Sequence, residues 1–321
     1  MEKRRLLSVV VFTVVLALFS SMVFAAGSAE GKAGGAEKKK TFAIVYPIVH
    51  PFFEPVTVSA EKYAAKQGYK VITRAPEGVG VNQQIEIMEN LIAMKVDGIA
   101  IVPTDPDALS PYIDKAIEAG IPTICFESDN PESKRIAFLG TYNYNAGRHL
   151  GTVVGRELNG KGTMIICTGL PTQRSLNERI QGIQDELKEN FPGIKILDIQ
   201  TGQGDPNLTV NVIETQIQSY PNFDVFTSID ATGGPAAVAI WKSLGWTKDD
   251  HKIITFDNME ENIQGIRDGQ VTSVVSQKQW LWGEMILKTF EDIIAGRPVK
   301  ESTDTGTVEI TIANVESYMS N

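Results

Sequence analysis

Residues 99–126 read IAIVPTDPDALSPYIDKAIEAGIPTICF. Ile99–Val102 is apolar at every position, as a strand covered on both faces requires, and it is too short for a helix. The polar link 103–108 (PTDPDA) follows. Leu109, Ile113, Ala116 and Ile117 then recur at helical spacing until Gly120 stops the run. Pro122–Phe126 (PTICF) is the next apolar strand. A strand, a helix and a second strand in this order form a right-handed crossover, which places the two strands parallel with a helix on one face of the sheet.

The same alternation extends both ways. Upstream, Phe42–Tyr46 and Lys70–Thr73 read as strands, separated by a helix over 54–67 that ends at Gly68, and a further helix covers 82–95. Downstream, Ile136–Leu139 reads as a fifth strand, and the pattern restarts. Helices are expected over 146–158, 176–190, 207–219, 234–244, 259–268 and 281–295, with strands at Thr163–Cys167, Lys195–Ile199, Val225–Ile229, Ile253–Phe256, Val271–Ser276 and Val308–Ile312. About eleven strands exceed one comfortable doubly wound sheet, so the pattern predicts two α/β lobes with parallel sheets. A (β/α)₈ barrel is the alternative that strand count leaves open. Length agrees: 321 residues suit two domains at roughly 100–200 residues each.

Thirty Lys and Arg stand against 39 Asp and Glu, a formal charge of −9. So acidic a chain is a poor clamp for phosphates, which argues against nucleic acid as a partner. Two cysteines supply neither a disulfide framework nor a zinc ligand set, and three histidines leave little for a metal site; no cofactor is expected. Cys125 and Cys167 fall on core strands of different halves and are expected to be buried free thiols.

The N-terminus reads as an export signal. Lys3, Arg4 and Arg5 precede an almost continuously apolar Leu6–Phe24, and small residues follow around Ala25. This predicts a signal peptide over 1–25, a flexible leader over 26–40 and a periplasmic protein. A retained anchor is the rival reading, because the apolar run approaches the ~20 residues that span a bilayer. No cysteine near the cleavage site offers a lipid acceptor. The signal carries +2 (three cations against Glu2), so its removal takes −9 to −11.

Ligands of open α/β sheets bind beyond the carboxyl ends of the strands. Here those ends carry HPFF at 50–53, PTDPDA at 103–108, Glu127 to Asn130, TGLPTQRSLNER at 168–179, Asp230, Asp257 with Asn258, and Gln277. Carboxylates and amides can each hold two neighbouring hydroxyls, and a ring face covers C–H groups, so the inventory suits a neutral sugar or polyol. It lacks the glycine-rich turn and clustered cations a phosphate needs. A bland reading stands beside each residue: Asp105, Asp129 and Asp257 are equally placed to be helix N-caps or turn residues, His50 to be a surface histidine, Phe52 and Phe53 to be core, and Trp280 and Trp282 to pack the last helix.

Taken together, HPFF at 50–53, VDGIAIVPTDPDAL at 96–109, AGIPTICFES at 119–128, FLGTYNYNAG at 138–147, ITFDN at 254–258 and VVSQ at 274–277 are distinctive in order and spacing. In these the chain resembles the periplasmic substrate-binding proteins of ABC sugar importers, the ribose- and galactose-binding group, over about residues 41–321. The resemblance implies a type I fold, two Rossmann-like lobes joined by three hinge strands. The lobes would comprise 41–141 with 278–304, and 142–277 with 305–321. It implies a monomeric, non-enzymatic solute-binding protein that closes on its ligand and docks on a membrane permease, and on a chemotaxis receptor as a further partner. The contacts it implies are Phe52 and Phe53 as aromatic wall, His50, Glu127, Asn177, Ile229 or Asp230, Asp257 and the hinge residue Gln277. Ser128 and Asn177 stand where ribose-binding relatives carry Arg, with Arg174 and Arg179 nearby. The second aromatic wall falls near Gly204 or Asp205, so it is either absent or supplied by Trp280 or Trp282. Two rivals are an exported glycosidase using a pair such as Glu127 and Asp230, and a ligand-sensing regulator, which would open with a helix-turn-helix instead of a signal.

Overall fold

The computed structural model describes residues 39–78 and 80–319. The expected signal over 1–25, and all of the leader except Lys39 and Lys40, lie outside the described residues. Folded structure begins with β1 (Thr41–Val45), followed by β2 (Lys70–Arg74), β3 (Gly98–Ile101), β4 (Thr123–Phe126) and β5 (Phe138–Gly140). The second series is β6 (Lys161–Thr168), β7 (Gly193–Thr201), β8 (Val225–Ser228), β9 (Lys252–Phe256) and β10 (Val271–Gln277); β11 (Ser302–Asp304) and β12 (Thr307–Ile310) come last. The helices are α1 (Glu54–Gln67), α2 (Val81–Met94), α3 (Pro106–Glu118), α4 (Asn143–Glu157), α5 (Arg174–Asn190), α6 (Pro206–Ser219), α7 (Gly233–Leu244), α8 (Glu260–Asp268), α9 (Trp282–Ile294) and the short α10 (Val315–Met319).

The strands form two separate six-stranded sheets, ordered β11-β5-β4-β3-β1-β2 and β12-β10-β9-β8-β6-β7. That excludes the barrel alternative. The orders are the same when β1 to β5 are matched to β6 to β10 and β11 to β12, so the lobes repeat one design. Each sheet is covered on both faces: one cluster packs Phe42, Ile44 and Phe126 against α1 and α9, while Val45, Ile99 and Cys125 face α2 and α3. The second sheet is sandwiched likewise. Double burial explains the continuous apolar runs of β1, β3 and β4.

Two expectations are corrected. Ser302–Asp304 is a strand, paired parallel to β5, which its polar sequence does not suggest. The last strand ends at Ile310 and runs antiparallel to β10. The cysteines are free and buried, Cys125 on β4 and Cys167 on β6.

Helix α4 follows β5 and crosses from the first sheet to the second lobe, where it packs on α5 at a glycine contact. A Cβ on Gly147 would run into the Arg179 carbonyl, and one on Gly182 into the Tyr144 carbonyl. The first lobe repeats the device: a Cβ on Gly283 of α9 would strike the Val56 carbonyl of α1. Backbone contact of this kind fixes where α5 sits, and α5 carries the one cation of the site described next.

Candidate functional site

The carboxyl ends of both sheets converge on one cavity. The first lobe contributes Pro47, Ile48, His50, Phe52, Phe53 and Glu127; the second contributes Gly169 after β6, Gly204 after β7, Asp230 after β8, Asp257 after β9 and Gln277 at the end of β10, together with Gln173, Leu176 and Arg179 from the start of α5. The centres of water molecules have about 60 Å³ within it. At ~10–15 Å³ per water on that measure, the space holds about four to six waters, the scale of one small ring and not of a chain.

The ring wall comes from the loop after β1. His50 caps the short helical turn Pro51–Phe53, its Nδ1 accepting from the Phe52 N–H at 3.2 Å. The turn drives Phe52 and Phe53 inward, edge to face at 5.0 Å between centroids, with Tyr46 stacked behind Phe53 at 4.7 Å. Both rings are core and wall at once: they pack in the first lobe's apolar cluster and line the cavity. Burial holds His50 below its ordinary pKa, opposed by Asp230 and Glu261.

Glu127 and Asp257 occupy equivalent places, each following the third strand from its sheet's β2-type edge neighbour, β4 and β9, and both take positive φ, 61° and 68°. Glu127 reaches across the cleft. Its Oε2 accepts from Gln173 Nε2 at 2.9 Å and its Oε1 from Arg179 Nη2 at 3.1 Å. The guanidinium is fully buried; it also donates to Asn143 Oδ1 and the Ile229 carbonyl, and lies 4.6 Å from the Phe256 ring centre. Asn143 in turn donates to the Glu127 carbonyl at 2.8 Å. Burial pushes the Glu127 carboxyl up, opposed first by Arg179.

Asp257 Oδ1 accepts from Gln277 Nε2 at 3.0 Å, leaving Gln277 Oε1 buried without a hydrogen-bond partner. Burial pushes the Asp257 carboxyl up to about 7; Arg179 and Gln277 oppose the shift, and Glu127 and Asp230 add to it. Asp230 Oδ1 accepts from Ser228 Oγ at 2.9 Å.

Seven of the eight residues singled out in the sequence therefore line one cavity: His50, Phe52, Phe53, Glu127, Asp230, Asp257 and Gln277. Asn177 does not. It is exposed on the outer side of α5, donating to the Pro171 carbonyl at 2.9 Å, and borders a separate groove. Gln173 and Arg179, one helical turn before and half a turn after it, face inward instead. In the sequence Arg179 stands out only as a cation near Asn177, and Gln173 not at all, because polar residues on a helix ordinarily mark its solvated face. Trp282 is buried in the first lobe's core and Trp280 packs on Tyr318; neither lines the cavity. Asp105 caps α3 through the Ala108 N–H, as the bland reading expects, whereas Asp129 caps no helix and pairs with Arg135; neither lines the cavity. Among the described residues no group of three or more His, Cys, Asp or Glu side chains is placed to hold a metal ion.

A small cavity between two parallel-sheet lobes, lined by the carboxyl ends of both, defines a bilobal, cleft-closing binding protein. Residues 42–298 match the periplasmic binding protein domain, and the chain belongs to that family. It is 24% identical to the ribose import binding protein of Bacillus subtilis, over 84% of this chain and 88% of that one. It is likewise 24% identical to the D-ribose/D-allose-binding protein of Pseudomonas aeruginosa, over 95% of each. A solute binding protein of an ABC transporter from Burkholderia graminis, solved in complex with D-arabinose, is 30% identical and superposes with a TM-score of 0.83, covering 87% of this chain and 97% of that one.

Proposed function

We propose that this chain is the solute-binding component of an ABC importer, working outside the cytoplasmic membrane, and that it captures one sugar or polyol of monosaccharide size between its lobes and delivers it to a permease. The observation that carries the reading is the convergence of an aromatic wall, three carboxylates and two carboxamides on a cavity sized for one ring. The relatives' names, which give ribose, allose and arabinose as ligands, support the same ligand class. In this reading Phe52 and Phe53 cover the ligand's C–H face, and Glu127, Arg179, Asp230, Asp257 and Gln277 take its hydroxyls. Docking on a chemotaxis receptor is a further role of the same closed form, and the working unit is a monomer.

Binding fits these groups better than catalysis does. A glycosidase needs one carboxyl free to give a proton and another free to attack or to activate water. Both oxygens of Glu127 are already engaged, by Gln173 and Arg179.

Calorimetric titration against pentoses, hexoses and polyols tests the proposal. A micromolar ligand, worth about −8 kcal/mol, is expected, and Asp257→Ala should lower its affinity at least tenfold while the circular dichroism of the variant stays that of the parent. Unchanged affinity in that variant would remove Asp257 from the site.

A further inference from the structure

The cavity's charge does not balance. Its lining carries three carboxylates, Glu127, Asp230 and Asp257, against one guanidinium, Arg179. His50 adds no positive charge, because its Nδ1 accepts from the Phe52 N–H and so bears no proton. Arg174, the next cation along α5, turns to Glu178 and the outer groove. Arg179 is moreover shared among Glu127, Asn143 and the Ile229 carbonyl. Buried charge left uncompensated is costly, so closure over this lining leaves an excess of carboxylate over cation.

The hydrogen-bonding capacity is skewed the same way. Asp257 and Asp230 each have one oxygen, Oδ1, that accepts a side-chain bond, while Oδ2 accepts none from the described residues. Gln277 Oε1 is buried with no partner, since its amide nitrogen is spent on Asp257. These three acceptors come from the ends of β8, β9 and β10, neighbouring strands of the second sheet.

We infer that the ligand is a polyol or sugar bearing a basic nitrogen, held as an ammonium among Asp230, Asp257 and Gln277. This rests on the polyol-binding reading above and replaces a neutral ligand by a cationic one. An ammonium offers donors only, so it answers the unpartnered Gln277 Oε1, the open carboxylate oxygens and the surplus charge together. Burial raises the Asp257 carboxyl against the pull of Arg179, and a ligand cation beside it would favour its charged form.

The test is calorimetry at pH 7 on the full chain with matched pairs: D-glucose and D-glucosamine, D-galactose and D-galactosamine, and glucose against its ring-nitrogen analogue 1-deoxynojirimycin. In at least one pair the amine should bind tenfold or more tightly than its neutral partner. Asp230→Asn should bring that ratio down to within about threefold of one, whereas Asp107→Asn, an exposed carboxylate outside the cavity, should leave it unchanged. Neutral partners that bind as tightly as their amines overturn the cation assignment and leave the polyol reading standing. Silence from every amine and every neutral sugar and polyol overturns both. A ratio that Asp107→Asn lowers as much as Asp230→Asn does also overturns the assignment, because the preference would then reflect the chain's overall charge.

Discussion

At Glu127 and Asp257 the backbone takes φ of 61° and 68°, a left-handed conformation that costs a non-glycine residue about 1–2 kcal/mol. The conformation is what turns each carboxylate from the end of its strand into the cleft, so the strain belongs to the site. Asp257 adds an electrostatic cost. In the unfolded chain its carboxyl ionises near 4; in the folded chain burial first, then Glu127 and Asp230, move it to about 7 against the pull of Arg179 and Gln277. Between about pH 4 and 7 the folded state keeps a proton that the unfolded state has lost. Asp257 therefore contributes stability that is full below pH 4 and falls as pH rises through 7. Asn at this position imitates the neutral acid and keeps the oxygen that accepts from Gln277. Without ligand, Asp257→Asn should melt higher relative to the parent at pH 8 than at pH 4.5, by several degrees in the difference, as read by scanning calorimetry at both pH values. A gain confined to the acid side would contradict the assignment.

The contact of α4 with α5 decides where the site's cation sits. Gly147 lies against the carbonyl of Arg179 itself, and Gly182, one turn on, against the carbonyl of Tyr144. An added methyl has backbone, not a yielding side chain, in front of it, so Gly147→Ala must push α5 away. The variant should lose about 1–3 kcal/mol of stability and, because Arg179 moves with its helix, at least tenfold in ligand affinity; urea melts and calorimetry read the two effects separately. A variant that loses stability alone would mean that α5 shifts without carrying Arg179 out of the cavity. Such geometry is where reading from sequence stops. Apolar periodicity gave the helices and the inner strands, because burial on both faces leaves an unbroken signal in FAIV at 42–45 and IAI at 99–101. Ser302–Asp304 escaped, since a three-residue polar edge strand buries too little to leave one. The strand-end rule found most of the cavity, as strand ends can be located by period alone. Gln173 escaped because its partner, Glu127, comes from the other lobe and nothing within α5 announces it; Arg179 stood only as a cation near Asn177, because its other partners, Asn143, the Ile229 carbonyl and Phe256, are distant in sequence.

At the scale of the molecule, the question is what holds the lobes together. Four bonds cross the cleft around the α5 N-terminus: Gln173 and Arg179 to Glu127, the Ser175 N–H to Ser128 Oγ at 3.2 Å, and Thr172 Oγ1 to the Thr104 carbonyl at 2.8 Å. None needs a ligand, and at about 0.5–1.5 kcal/mol each they lower the cost of closing without fixing the closed form. A ligand adds only its difference in affinity between open and closed states. Glu127 is the member whose loss is largest, because among the described residues it is the sole carboxylate paired with the fully buried Arg179 guanidinium. Removing one partner of a buried pair costs about 3–5 kcal/mol, and here the lost partner is the one across the cleft, because Asn143, the Ile229 carbonyl and the Phe256 ring hold Arg179 from its own lobe. Glu127→Ala should therefore leave each lobe's fold intact, lower ligand affinity at least a hundredfold and keep the chain open. Small-angle scattering should show the parent contracting on addition of ligand, while the variant stays expanded at the same concentration. If the variant contracts as the parent does, the Glu127–Arg179 bridge is a passive neighbour of the ligand, and the work of closure rests on the ligand's own contacts.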